Sequence, residues 1–199
     1  MKKIVRRQTY SVKNKPFFRS VVFGIDVVAQ DKKDIEKINK ALLLIKKIDP
    51  RLFSKVLQLK AILIYPGRNE YGAVYEKERI YIDQPKAIKE STLIYLASSI
   101  VHEAWHIDQY KRKIREYGIK TEKGAYLVQK RFLLKAGAKA DAEWLDKMYK
   151  QQWWKPEPTK TKKKAGYDDK SVEKTRNEFW KFLNKYKKGK LRILDYNGA

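Results

Sequence analysis

The residues best suited to chemistry in this 199-residue chain are its two histidines, His102 and His106, which lie four positions apart. Glu103 follows the first histidine, so the local sequence is H-E-A-W-H. On a helix, residues four apart differ by about 40° and one turn of rise, so both imidazoles leave the same face. The two rings can therefore bind one zinc ion at Zn–N distances of about 2.0–2.1 Å.

Glu103 is rotated by about 100° from His102 on the same helix. From there its carboxylate can reach a water in the open position of the metal without being a ligand. Zinc lowers the pKa of bound water to about 7, and a carboxylate can accept the proton that the water loses. The spacing is the H-E-x-x-H pattern of zinc peptidases. We predict zinc ligands at His102 and His106 and a catalytic general base at Glu103.

The alternative is a pair of packed histidines without a metal. The surrounding helix is apolar on nearly every side, and two polar rings without a ligand would be costly to bury there. This cost favours the metal site.

A catalytic zinc usually has three protein ligands, and the chain has no third histidine. Gln109 and Arg112 occupy the positions where the elongated zincin pattern requires Gly and His, so that pattern is excluded. The missing ligand must be a carboxylate from another element. Competing candidates on a later predicted helix are Asp141, Glu143 and Asp146.

H-E-A-W-H followed by a helix that opens E-K-G-A, from Glu122 to Ala125, resembles the gluzincin family of metallopeptidases. The 15 residues between His106 and Glu122 are similar to the short spacer of the compact minigluzincins. The resemblance covers roughly residues 55–137. It implies a zincin-like fold in which Glu122 is the third zinc ligand and a small residue beside it allows close helix packing. It also implies that the run RIYID is an edge strand that holds an extended peptide substrate through backbone hydrogen bonds.

Several residues are candidates for supporting roles around the metal. Asp108 and Gln109 could orient the ligands, although solvation is an equal alternative for both. The chain has no further histidine to serve as oxyanion donor, so that role falls to a tyrosine, and the sequence does not choose among Tyr110, Tyr126 and Tyr167.

The residue pattern in the first half of the chain indicates strands with one helix between them. Residues 18–28 alternate apolar and polar side chains, which indicates a strand. An amphipathic helix follows and ends at Pro50. Residues 55–67 are typical of a buried strand, and residues 71–83 of a hairpin.

The residue pattern in the second half of the chain indicates helices. The first has a cap at Ser91 or Thr92 and stops at Gly118, the second runs from Thr121 to about Gly137, and the third covers residues 140–154. A last amphipathic helix over 169–187 precedes a strand-like tail, LRILDY. We therefore predict an α+β fold, with a small mixed sheet packed on a buried active-site helix and a second ligand-bearing helix.

The charge of the chain is concentrated at its ends. The net charge is +24, and residues 1–19 carry seven basic and no acidic side chains. We divide the chain into this basic N-terminal segment, a metallopeptidase domain over 20–154, and a basic linker with a helical C-terminal extension over 155–199. Such a field attracts nucleic acid, although a solubilising surface is an equal alternative.

These observations predict a zinc-dependent metallopeptidase acting on a peptide or protein substrate. The alternatives are a nucleic-acid-binding protein with a structural or vestigial zinc site, and a peptidase tethered to DNA or RNA through its basic ends. The absence of cysteine excludes disulfides and cysteine-based metal sites. No apolar run reaches the ~20 residues of a membrane span, so we expect a cytoplasmic protein without a membrane partner. The oligomeric state is not predicted.

Overall fold

The structure is a computed structural model, and it describes residues 16–65, 73–76, 79–83, 86–114, 119–151, 181–182, 184–186 and 188–196. Several sequence predictions lie outside these residues. They are the basic segment up to residue 15, the linker that begins at residue 155, most of the last predicted helix, and Tyr167.

The described strands form one mixed sheet, which confirms the α+β class. They are β1 (Phe17–Val22), β2 (Ile25–Ala29), β3 (Ala61–Tyr65), β4 (Ala73–Glu76), β5 (Arg79–Asp83) and β6 (Ile193–Asp195). Their order across the sheet is β4-β5-β3-β2-β1-β6. The pairs β1–β2 and β4–β5 are antiparallel, whereas β3 is parallel to both of its neighbours and β6 is parallel to β1.

The described helices include α1 (Lys32–Ile48), α2 (Pro50–Val56), a π-helical turn (Lys86–Glu90), α3 (Leu93–Lys111), α4 (Ile119–Lys135) and α5 (Lys139–Gln151). Thr92 caps α3, because its hydroxyl accepts a hydrogen bond from the backbone N–H of Tyr95. Gly137 follows α4 in the left-handed region with φ 76°, as a helix-terminating glycine does. Among the described residues, no helix combines the length and the apolar character that a membrane crossing needs.

The single strand predicted over 18–28 is wrong, because the chain reverses within it and forms the β1–β2 hairpin. The two turn residues, Phe23 and Gly24, both have positive φ, at 51° and 80°. A two-residue hairpin turn of type I′ requires this conformation at both positions. Sequence reasoning missed the turn because glycine or asparagine, rather than phenylalanine, normally marks its first position.

The strand predicted over 55–67 begins later than expected, since α2 occupies Pro50–Val56 and β3 begins only at Ala61. Pro50 ends α1 and also opens α2, where the missing N–H of proline costs nothing. The Asp49 side chain accepts a hydrogen bond from the N–H of Leu52 and caps this new helix.

Helix α3 ends at Lys111, before the predicted stop at Gly118. Lys113 adopts the left-handed conformation with φ 63°. The N–H of Ile114 then donates to the carbonyl of Gln109, and that of Lys113 donates to the carbonyl of Tyr110. This is the Schellman arrangement, formed here without the glycine that usually signals it.

The expectation that RIYID is an edge strand is also wrong. This run is β5, which lies between β3 and β4, so the outermost described strand on that side is β4. Strand β4 also contacts α3. Sequence reasoning could not order the two strands of this hairpin, because both have similar apolar patterns.

The sheet separates two apolar layers, because successive side chains of a strand point to opposite faces. Val27 and Ile62 belong to the main core with residues of α1 and α3. Val28 and Leu63 belong to a second cluster with Phe182 of the C-terminal segment. The described C-terminal residues, Phe182 and Tyr186 among them, therefore pack on the face opposite α3, and β6 lies within the predicted strand-like tail.

Candidate metal centre

Two helices bring the chemistry-bearing residues together. His102 and His106 lie one turn apart on the buried middle of α3, and Glu122 lies in the first turn of α4. Helix α4 packs along α3, which places the Glu122 side chain over the two imidazoles. In the described part of the chain, the ligand atoms of these three residues lie within 4.8 Å of one another, which is close enough to bind one metal ion.

The distances within the group are close to those between the ligands of one zinc ion, with a different carboxylate oxygen of Glu122 facing each imidazole. The two Nε2 atoms of His102 and His106 are 3.1 Å apart. Oε2 of Glu122 is 3.4 Å from Nε2 of His102, and Oε1 is 3.5 Å from Nε2 of His106. Ligands held tetrahedrally at about 2.0–2.1 Å from zinc would be about 3.3–3.4 Å apart.

Gln109 fixes which nitrogen of His106 faces this cluster. The Nε2 amide group of Gln109 donates to the carbonyl of Thr121, which can only accept. Oε1 of Gln109 therefore faces Nδ1 of His106, at 3.0 Å, and that nitrogen must carry the hydrogen. The Nε2 lone pair of His106 is left to face His102 and Glu122.

Gln129 fixes which nitrogen of His102 faces the cluster, through a longer chain of hydrogen bonds. The Ser98 hydroxyl donates to the carbonyl of Tyr95, so its oxygen accepts from Nε2 of Gln129. Oε1 of Gln129 then accepts from Nδ1 of His102 at 3.0 Å. All of these polar side chains are buried, and each orients the next.

The cluster favours a positive charge at its centre. Burial alone would raise the pKa of the Glu122 carboxyl, but the hydrogen bonds and charges of the two imidazoles outweigh it and lower this pKa to about 2. Burial lowers the pKa of His106, but its hydrogen bond with Glu122 and the charges of Glu103 and Glu122 outweigh burial, so the pKa is raised. Two nitrogens and a carboxylate that converge in this way are a suitable donor set for zinc.

Glu103 stands beside the cluster without belonging to it. Its carboxylate is buried, and Oε1 is 4.0 Å from Nε2 of His102. Burial raises the pKa of Glu103 to about 7, since the neighbouring imidazoles only partly offset the loss of solvation and Glu122 raises the pKa further. A carboxylate with a pKa near 7 can both take and return a proton at neutral pH.

The other sequence candidates lie elsewhere. Asp108 accepts from Lys55 at 2.6 Å and pairs with Arg112, so it does not orient a ligand. Asp146 on α5 pairs with Lys130 at 2.6 Å. Asp141 and Glu143 are outside the ligand group as well.

Of the tyrosines considered as oxyanion donors, Tyr126 packs its ring edge-to-face against His102, with the ring centroids 5.1 Å apart. Tyr110 is exposed on α3.

Sequence reasoning missed Gln129. Its position carried a signal, because it lies seven residues after Glu122 and therefore on the same face of α4. A buried glutamine two turns after a ligand, on the same helix face, is a candidate for a hydrogen bond to the first histidine of an H-E-x-x-H motif.

Comparison of the chain with protein-family models, curated proteins and solved structures finds no match.

Gly124 gives Gln109 the space that it needs. A Cβ atom built on Gly124 would lie 2.7 Å from Nε2 of Gln109 and 3.1 Å from Nε1 of Trp105. Glycine inside a helix costs about 0.5–1 kcal/mol relative to alanine. The close approach of α3 to α4 at this point explains why the helix tolerates that cost.

We predict that Gly124→Ala lowers the free energy of unfolding by about 1–3 kcal/mol, because the new methyl group displaces an amide that is held at both ends. Urea unfolding of the chelator-treated protein measures this change. In a Gln109→Ala background the same substitution should cost clearly less, since only the contact with Trp105 remains. Lys123→Ala, at an exposed neighbouring position, serves as the control. Equal effects of Gly124→Ala in the two backgrounds would show that Gln109 is not the reason for the glycine.

Proposed function

We propose that this protein is a zinc-dependent metallopeptidase of the gluzincin type. One observation carries the proposal: the ligand atoms of His102, His106 and Glu122 lie within 4.8 Å of one another, and the buried carboxylate of Glu103 stands next to them without joining them. A group of three ligands leaves a position for water, and the fourth residue is a base within reach of it.

Each residue of the site has a separate role in this proposal. His102, His106 and Glu122 would hold the zinc, and Gln109 and Gln129 would keep both imidazoles in the tautomer that presents Nε2. Zinc, when bound, polarises the substrate carbonyl and makes water acidic enough to lose a proton near pH 7. Glu103 would accept a proton from the attacking water and later return it to the leaving amine.

The substrate of this proposal is an extended peptide beside β4. In the described sheet β4 is the outermost strand on this side, and it contacts α3, the helix that carries the histidines. An outer strand presents backbone N–H and C=O groups that an extended peptide can pair with. This assigns to β4 the role that the sequence resemblance suggested for β5.

A structural zinc site is the main alternative, because it would suit a nucleic-acid-binding protein without peptidase activity. Structural zinc sites usually close the coordination shell with four protein ligands. The described residues bring three together. The buried Glu103 carboxylate is costly to keep, and a structural site has no use for it. Both features favour catalysis.

The first test separates the base from the ligands. We expect Glu103→Gln to retain one zinc per chain and to lower kcat for peptide hydrolysis by about 10²–10⁴-fold, because an amide cannot accept the proton of the water. Zinc content is measured by metal analysis, and hydrolysis with fluorescently labelled casein. Glu143→Gln, the same change at an exposed position, should leave both unchanged. A Glu103→Gln protein with full activity would contradict the peptidase mechanism.

The second test locates the third ligand. Glu122→Ala should weaken zinc binding more than about 100-fold, since even groups that only orient ligands cost about 10–100-fold when removed. Competition with a chelating dye measures the affinity. If Glu122→Ala bound zinc normally and Asp141→Ala or Glu143→Ala did not, the ligand would have to be moved to α5.

A further inference from the structure

The outer face of α1 is almost entirely basic. Its exposed positions are Lys32, Lys33, Lys40, Leu43, Lys46 and Lys47. Of the two acidic residues of this helix, Asp34 is buried, and Glu36 is half-buried and accepts a hydrogen bond from the Tyr196 hydroxyl. Helix α2 adds the exposed Arg51 and contains no acidic residue.

Three of these lysines form a line. Lys33, Lys40 and Lys47 are seven residues apart, so they lie on one side of α1 and span about 21 Å along its axis. None of the three is within ion-pair distance of a described acidic residue. A row of exposed lysines along a straight axis fits a linear polyanion.

An exposed aromatic ring stands beside Lys46, the residue that precedes Lys47. Phe23, at the tip of the β1–β2 hairpin, is 40% exposed. The Nζ of Lys46 lies over its ring, 5.1 Å from the centroid, and Phe53 of α2 supports it in an edge-to-face contact. The ring is thus held beside α1 and α2 without being buried.

The backbone of Phe23 adopts an unfavourable conformation. Its φ of 51° lies in the left-handed region, which a bulky non-glycine residue seldom adopts. Asparagine, aspartate or glycine would occupy this turn position with less strain. A strained aromatic that remains accessible to solvent indicates a role for the ring itself.

We propose that Phe23 and the basic face of α1 and α2, defined by Lys33, Lys40, Lys46, Lys47 and Arg51, bind single-stranded nucleic acid. A base stacks on the Phe23 ring, and the phosphates of neighbouring nucleotides contact the lysines. Aromatic stacking beside a positively charged track is how proteins bind single strands without reading their sequence. This surface is separate from the metal centre and goes beyond the proposed peptidase activity.

Two other occupants fit less well. A second copy of the chain would bring a net charge of +24 against a face of the same sign. Binding to an anionic membrane would require an apolar side chain that can insert into the lipid. Phe23 is instead held against Phe53, with Lys46 over its ring. A base needs only one accessible side of the ring.

Fluorescence anisotropy with a labelled oligothymidylate of about 20 nucleotides tests the surface, using the full chain over a range of salt concentrations. We expect Lys40→Glu/Lys47→Glu to bind about tenfold more weakly or worse at about 50 mM salt. The slope of log K against log salt should also fall in magnitude by about 1.4, which corresponds to two lost phosphate contacts. Lys139→Glu/Lys147→Glu on α5 makes the same change in net charge and should have a much smaller effect.

The ring is tested separately. Phe23→Leu keeps an apolar contact with Phe53 and removes the stacking surface, so binding should weaken about fivefold or more with no change in the salt slope. Phe23→Ala provides a second variant, and circular dichroism confirms that each is folded. Equal losses in the α1 and α5 charge variants would overturn the proposal. So would unchanged binding by Phe23→Leu, or Phe23-dependent binding to phosphatidylglycerol vesicles without oligonucleotide binding.

Discussion

The structure around α3 and α4 depends on one electrostatic constraint. Two imidazole nitrogens and a carboxylate meet at 3.1–3.5 Å, and Gln109 and Gln129 hold the imidazole hydrogens on the far side of each ring. Lone pairs of electrons that face one another at this distance repel unless a cation lies between them. The raised pKa of His106 and the low pKa of Glu122 express the same preference.

Several other features follow from this constraint. Helix α4 must come close to α3 so that Glu122 reaches the imidazoles, and Gly124 allows that approach where Gln109 crosses between the helices. Gln109 in turn links His106 to the backbone of Thr121, the residue just before Glu122. The orientation of one ligand and the position of another are therefore set by a single amide. Residues of α3 also belong to the main core, which packs the helix against the sheet and α1.

The sequence predicted the centre of the site better than its surroundings. The spacing of His102 and His106 specifies their geometry, because a helix converts four residues into one turn. Glu122 followed only from a resemblance, since helix packing, which no local pattern encodes, brings it to the histidines. Gln129 was missed for the same reason. Its role depends on the contact between α3 and α4, although its position seven residues from Glu122 was visible.

The fold shows the same limit. Periodicity predicted α1, α4 and α5 and the β4–β5 hairpin, because these depend on local patterns. It did not predict the turn at Phe23 or the early end of α3 near Lys113, where non-glycine residues adopt positive φ. The order of β4 and β5 in the sheet also stayed hidden, because strand order is a long-range property.

X-ray absorption spectroscopy of the zinc-loaded protein tests the central claim most directly. The account predicts a four-coordinate shell of nitrogen and oxygen at about 2.0–2.1 Å, with the multiple-scattering pattern of two imidazoles. In Gln109→Ala, the imidazole signal should become more disordered while the number of ligands is unchanged. A shell without imidazole, or one with a single imidazole in the wild-type protein, would contradict the account.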